Sequence, residues 1–373
     1  MHENTHSRLV PLGYLLVLLP PLLVTAGALW GLPWLTLATF IAASPITRAI
    51  FGSYPRRGLD ISERTASILN ALPVVYGIVL LASLVAAALV IPSGLLRDMP
   101  DLIWFGASLW TALTFGTFPA HELIHQPGKG PARAGSFVAG LCGYPILGIE
   151  HVLHHRSPGS TETAEWPARH ETMWAFVARR SKRVIIKAFR SDASLRATGE
   201  WGMVSPLVAG MTGFAVALLI FGLLGGSRGV AVYLCAAFGV AFSMQVMTYV
   251  QHWGLGTDSF PDGGTRELAW EDDCMMQAWL TMNNSFHHAH HLSRDTVYFF
   301  IEPSGQAPRQ PGCYVVALCA TMVPAVWKWL MEPVLESWKL DPNNVCQPGR
   351  RVICIIPSRR ELQTRPTTSG VTK

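Results

Sequence analysis

The chain predicts an all-α fold: an integral membrane bundle of about six transmembrane helices with a cytoplasmic, histidine-rich helical cap. Three observations carry that reading. Half of the 373 residues are hydrophobic and only 14% are charged, with a mean hydropathy of +0.30, a balance foreign to ordinary soluble domains. Six apolar runs reach the ~20 residues that a helix needs to cross a bilayer, at about 9–30, 32–51, 67–92, 102–120, 204–225 and 229–250. Ten of the thirteen histidines fall into four short clusters just outside those runs.

Taken in order, the first run resembles a signal peptide only superficially. Its flank carries Arg8 alone, and no small-residue cleavage site precedes the second run, so it is expected to be a retained helix. Prolines 20, 21, 33, 45, 73 and 206 lie within or beside the runs, where membrane helices tolerate them. A seventh stretch, about 313–331, carries Trp327, Lys328 and Trp329 and reads as an interfacial or re-entrant helix. Basic residues mark cytoplasmic loops. Arg48, Arg56, Arg57 and Arg64 fall between runs two and three, and Lys129 through Arg196 supply eleven more between runs four and five. The other connections, Trp30–Pro33, Arg97–Asp101 and Gly225–Arg228, are short and carry at most one Arg each. Both termini are therefore expected inside, with three tight hairpins outside. Residues 1–340 read as one membrane-embedded domain, and 341–373 as a polar, flexible tail.

The clusters are His121-Glu-Leu-Ile-His125, His151-Val-Leu-His154-His155, His252 within Y-V-Q-H-W-G, and His287-His-Ala-His290-His291. Spacings of i, i+3 and i+4 put imidazoles on one helical face. The expected topology brings all four clusters to the cytoplasmic membrane face. Neutral imidazole is a common metal ligand. Nine or ten histidines exceed the needs of one ion and suit two, and imidazole suits iron, copper and zinc alike.

The seven cysteines are scattered, odd in number and without a C-x-x-C, which argues against a disulfide framework and a built-in iron–sulfur module. No basic, aromatic-interleaved patch suggests nucleic acid. A metal site at a membrane face, beneath an apolar bundle, points instead to oxygen activation on an apolar substrate arriving from lipid.

The four elements H-E-L-I-H, E-H-V-L-H-H, Y-V-Q-H-W-G-L and N-S-F-H-H-A-H-H resemble those of the integral-membrane non-haem di-iron family. That family includes alkane hydroxylases, the xylene monooxygenase hydroxylase subunit and membrane fatty acid desaturases. Order and context are most similar to the alkane hydroxylase and xylene monooxygenase branch, and the resemblance covers roughly residues 10–330. It implies a fatty acid desaturase/alkane hydroxylase-like domain holding two iron ions, with O2 as co-substrate. It implies as ligands His121, His125, His151, His154, His155, His252, His287, His290 and His291. The activity implied is hydroxylation of an unactivated C–H bond in an alkane, alkyl-aromatic or acyl chain, with electrons from a ferredoxin or rubredoxin and its reductase. A multi-pass protein of the bacterial inner membrane is the setting implied.

Two departures bear on that activity. The second box is one residue shorter than in alkane hydroxylases and has the desaturase spacing, which keeps open desaturation or oxidative decarboxylation of a fatty acid. Trp253 stands where the branch has Tyr and is expected to add bulk beside the metal. Glu122, Glu150, Glu162, Glu165, Asp272 and Asp273 are candidates for orienting imidazole N–H groups. His288 breaks the spacing of its neighbours and is expected to support the site from behind or to face solvent. His170 reads as a surface residue. The run Arg179-Arg-Ser-Lys-Arg183 reads as a topology signal near headgroups, or as a dock for an acidic electron carrier. A membrane metal transporter is the rival class, and it would place its ligands at mid-membrane rather than at the face.

Overall fold

The computed structural model describes residues 10–51, 53–54, 61–156, 166–198, 204–256, 269–293 and 295–340. Among them the protein is helical throughout, with two isolated β-bridges, Ser53 to Cys274 and Glu271 to Arg309. Its helices are α1 (Val10–Leu29), α2 (Leu35–Phe51), α3 (Glu63–Val90), α4 (Met99–His125), α5 (Lys129–Leu141) and α6 (Leu147–Arg156). They continue as α7 (Met173–Ala197), α8 (Pro206–His252), α9 (Met275–Leu280), α10 (His287–Leu292), α11 (Tyr314–Thr321) and α12 (Pro324–Leu340).

Three of these, α1, α3 and α8, are long and apolar enough to cross a membrane. α2 has 17 residues, about 26 Å of helix, and is shorter than the expected second span. The expected seventh stretch is two helices, because the chain breaks at Met322 and Val323 and Pro324 starts α12 anew. Local chemistry sets the other ends. Ser62, Asp98 and Ser205 each accept a bond from the backbone N–H three residues on, capping α3, α4 and α8.

The fifth and sixth apolar runs both lie in α8, which folds back on itself. Gly226 takes φ 64°, ψ −156°, a conformation open to glycine and costly for other residues. Beyond it Tyr233 stacks on Phe221 at 5.3 Å and meets Phe214 at 5.6 Å. In a straight helix, Phe214 and Tyr233 would stand roughly 28 Å apart. The Gly225–Arg228 connection is thus a hairpin of two antiparallel arms.

α5 wedges between α4 and α8, and small residues let the backbones touch. A Cβ on Gly135 would lie 2.5 Å from the Ala120 carbonyl oxygen, and one on Gly140 would lie 1.9 Å from that of Gly210. Such small-residue crossings characterise helix packing in lipid. Their effect is to bring the carboxyl end of α4, the end of α8 and all of α6 to one end of the bundle.

Candidate metal centre

Eight of the nine histidines expected as ligands converge into two quartets, all buried except the half-buried His125. His121 and His125 from α4, His151 from α6 and His290 from α10 form the first; His154 from α6, His252 from α8, and His287 and His291 from α10 form the second. Within each quartet the ligand atoms lie within 4.8 Å of one another. The ninth expected ligand, His155, lies outside the described side chains.

Helix geometry explains the assignment. His121 and His125, four apart, project from one face of the last turn of α4. His252 is the last residue of α8, and the chain turns at Gly254, whose φ of 73° and 2.5 Å approach to Leu335 leave no room for a Cβ. Neighbours His290 and His291 point about 100° apart around α10 and so serve different quartets.

The donor set fits a pair of metal ions. Four imidazoles bound at roughly 2.1 Å around one ion would hold their ring centroids roughly 4.5–5.2 Å apart. Centroid separations run from 4.2 to 5.7 Å in the first quartet and from 4.6 to 6.0 Å in the second. Nε2 of His291 faces Nε2 of His287 at 3.1 Å and of His154 at 3.2 Å. Nε2 of His125 faces that of His151 at 2.5 Å. Ring nitrogens that meet head to head can share at most one proton per contact, whereas a cation between them would accept every lone pair. All eight are histidines, without a thiolate, which excludes the sulfur-ligated zinc and iron–sulfur types.

Support comes from groups behind the rings. His287 donates from Nδ1 to Oδ1 of Asn284 at 3.3 Å, turning Nε2 toward the quartet. The fully buried Trp166 stacks on His252, with centroids 4.2 Å apart and planes 19° apart. Arg179 holds the Trp166 segment, donating to both oxygens of Glu171 at 2.8 and 2.7 Å and to the Trp166 carbonyl at 3.4 Å.

The carboxylates expected to orient imidazoles have other partners. Glu150 accepts from Arg180 at 2.6 Å and from the Tyr144 hydroxyl; Arg180 also donates to Gln245, whose Nε2 donates to Tyr144 at 2.7 Å. Asp272 and Asp273 clamp Arg48 at 2.8 and 3.2 Å, and Asp272 also accepts from the N–H groups of Cys274 and Tyr314, both at 2.9 Å. They tie α2 and α11 to the connecting segment. Glu122, between the two α4 histidines, meets the Tyr298 N–H at 3.5 Å, and burial pushes its carboxyl up to about 7. Glu162 and Glu165 lie outside the described residues.

Four other expectations meet the structure. His288 is buried at 4% exposure and outside both quartets, so it does not face solvent; all four histidines of α10 are buried, and its exposed residue is Leu292 at the end of the helix. His170 is exposed. The basic run of α7 divides: Arg180 is 2% exposed inside the protein and Arg179 is tied to Glu171. Arg180 continues the buried stripe Phe176, Val184 and Ala188 at four-residue spacing, a periodic signal that the reading of the run as a charge block passed over. Trp253 packs edge-on against Trp327 at 5.6 Å and takes the Trp270 indole N–H on its carbonyl at 2.8 Å. Its bulk fills the apolar cluster with Met331 and Leu335.

The sequence reading missed Glu271. It is 0% exposed, ion-paired to Arg309 at 2.9 Å, and accepts from the backbone N–H groups of Ala289 and Ser304, both at 3.0 Å. Its place beside Asp272 and Asp273 in an acidic run was the available signal. Burial pushes Glu271 up to about 7 and Asp272 up to about 6, against the pull of their arginine partners.

The family model described as "Fatty acid desaturase" matches residues 100–301, more than half of the chain.

 The matched region runs through α4 to α10 and contains every histidine of both quartets. The chain belongs to the fatty acid desaturase family. Within it, the chain is similar to alkane 1-monooxygenase 2 of Pseudomonas aeruginosa, 24% identical over 366 residues that cover 89% of this chain and 93% of the relative. Alkane 1-monooxygenase 1 of the same organism is 24% identical over 327 residues, covering 83% and 84%. The xylene/toluene monooxygenase hydroxylase component XylM of Pseudomonas putida is 24% identical over 248 residues, covering 65% of each chain. These family members are named for oxygenase activities, and the histidine quartets fall inside the matched region.

Proposed function

We propose that this protein is a membrane-bound non-haem di-iron monooxygenase that hydroxylates an unactivated C–H bond of an apolar substrate. The observation that carries the reading is the pair of adjoining, all-histidine quartets, buried except for the half-buried His125, at one end of an apolar helical bundle. Similarity to two alkane 1-monooxygenases and to XylM supports it.

Each quartet would hold one iron, with His155 as a ninth ligand. Two irons so held, given O2 and two external electrons, would supply the oxidising power to take hydrogen from carbon and return oxygen. The chain's own residues do the rest. Burial of the rings keeps water from the reacting end of the substrate. Asn284 fixes the tautomer of His287, and Trp166 holds the plane of His252. A ferredoxin or rubredoxin with its reductase would deliver the electrons. Six spans, with both termini and the histidine cap on the cytoplasmic side of a bacterial inner membrane, are the arrangement we infer; the basic loops and the α8 hairpin support it. Residues 1–340 would form the single catalytic domain.

Desaturation or oxidative decarboxylation of an acyl chain is the second reading, favoured by the short spacing of His151, His154 and His155. Product analysis under 18O2 separates the two. The purified, iron-loaded protein with a ferredoxin couple and NADH is offered an alkane, an alkyl-aromatic and a fatty acid. A labelled alcohol is expected; an alkene without label would replace hydroxylation by the second reading.

A further inference from the structure

Two helices feed both quartets. α6 sends His151 to the first and His154 to the second, while α10 sends His290 to the first and His287 and His291 to the second. The relative placement of α6 and α10 therefore sets how far apart the quartets stand. Both helices are short, with ten and six residues, and helices of that length do not hold themselves in water. α4 and α8, by contrast, have 27 and 47 residues and are locked into the bundle.

Each short helix is pinned by its own buried glutamate–arginine pair. Glu150 of α6 is held by Arg180 of α7, which also reaches Gln245 of α8 and so ties three helices together. Glu271 stands outside α10 and takes the N–H of Ala289, in the first turn. Phe286, at the position that would cap this helix, has no side-chain oxygen to offer. Glu271 supplies the missing cap from a distance, and its carboxylate complements the positive helix end. Arg309 secures it twice, by the ion pair at 2.9 Å and by a backbone bridge in which Gln310 N–H donates to the Glu271 carbonyl at 2.9 Å. Side-chain exposures are 3% and 8% for Arg180 and Glu150, and 7% and 0% for Arg309 and Glu271. Burying charge is a poor way to gain stability, since apolar residues of like volume often do as well or better. Fixed geometry is what such pairs offer instead.

We propose that Arg180 and Arg309 are positioning residues of a dinuclear centre: acting through Glu150 and Glu271, they hold α6 and α10 in the register that separates the quartets and sets the distance between two bound metal ions. This rests on the reading of the quartets as metal sites, and not on the reaction.

The test loads the full-length protein in lipid nanodiscs with Co(II) alone. It measures ions bound per chain, affinity, the magnetic coupling between the ions, and thermal unfolding of the metal-free protein. R180K and R309K keep the charge but not the planar fork of donors. Both are expected to unfold near the wild-type temperature, to bind Co(II) about 10–100-fold more weakly, and to show altered coupling. The paired replacement E150M/R180M removes the buried charge entirely. It is expected to regain stability relative to R180M without regaining the coupling. Wild-type affinity and coupling in R180K and R309K, or full recovery of the coupling in E150M/R180M, would overturn the proposal. Wild-type protein that binds fewer than two Co(II) ions would remove the metal reading and this inference with it. Wild-type protein that binds two ions but forms no labelled alcohol would remove the proposed reaction and leave the positioning role supported.

Discussion

Replacing Trp166 tests whether the second quartet is held from behind. Its indole is fully buried and lies nearly parallel to the His252 ring, 4.2 Å away. Truncation to alanine removes a side chain of the size that costs about 3–5 kcal/mol when cut from a core. Phenylalanine keeps an aromatic face and loses only part of the buried area, so W166F should cost roughly 1–2 kcal/mol at about 25 cal/mol per Å². Leucine fills much of the space but gives up the ring pairing, itself worth about 0.5–1.5 kcal/mol. Metal retention should follow the stack rather than the volume. W166F is expected to hold two metal ions per chain, while W166L and W166A lose affinity in the second quartet by about 10-fold or more. Metal titration, followed by thermal unfolding of the metal-free forms, reads both quantities. If W166A bound both ions as tightly as wild type, Trp166 would be a packing residue with no hold on His252. If W166L matched W166F, ring stacking would not be the means.

Three further outcomes follow from individual contacts. N284A removes the acceptor for His287 Nδ1 and should weaken the second quartet's metal binding about 10-fold, with the metal-free unfolding temperature almost unchanged. G140L drives a side chain into the Gly210 carbonyl, 1.9 Å from where its Cβ would begin; backbone cannot yield there, so folded protein should be lost in size-exclusion of detergent extracts. G130L, with open space around it, is the control and should run as wild type. The acidic run also sets a pH dependence. Glu271 is raised from an ordinary 4.5 to about 7 by burial, so the folded state binds this proton more tightly than the unfolded one. Its contribution should favour folding at the acid end and decline as pH climbs from about 4.5 through 7. Unfolding temperatures of wild type and E271Q across that window check the sign: E271Q should flatten the decline, and a steeper one would refute the assignment.

The four histidine clusters were legible because their spacing is local. An i, i+4 pair such as His121 and His125 must share a helix face wherever the helix goes. The Gly225–Arg228 hairpin was legible for the same reason, since Gly226 alone fixes the reversal. What the sequence withheld was the division of labour. His290 and His291 are neighbours in the chain and belong to different quartets, because partition depends on where α4, α6 and α8 arrive around α10. No spacing rule within one helix contains that information. Trp253 misled in a related way. Adjacency to His252 suggested added bulk beside the metal, but a residue just past the helix end turns with the chain, and its indole packs on Trp327.

Charge was the harder signal. Within the run Arg179 to Arg183, one side chain is buried against Glu150, and its neighbour grips Glu171 at the segment behind His252. A block of basic residues looks uniform when counted, but on a helix it is a ring of directions, and only one of them points inward. Arg180 could have been separated from the rest by its register with Phe176, Val184 and Ala188. The same logic governs the acidic run: Glu271 turns to cap α10, while its neighbours Asp272 and Asp273 turn the other way and tie down Arg48. Apolar periodicity thus specifies the long helices that build the bundle, whereas the short helices that aim the histidines depend on single polar residues whose partners lie far away in the chain. That dependence explains why the histidine clusters could be read from the sequence while their partition into quartets, and the residues packed behind them, needed coordinates.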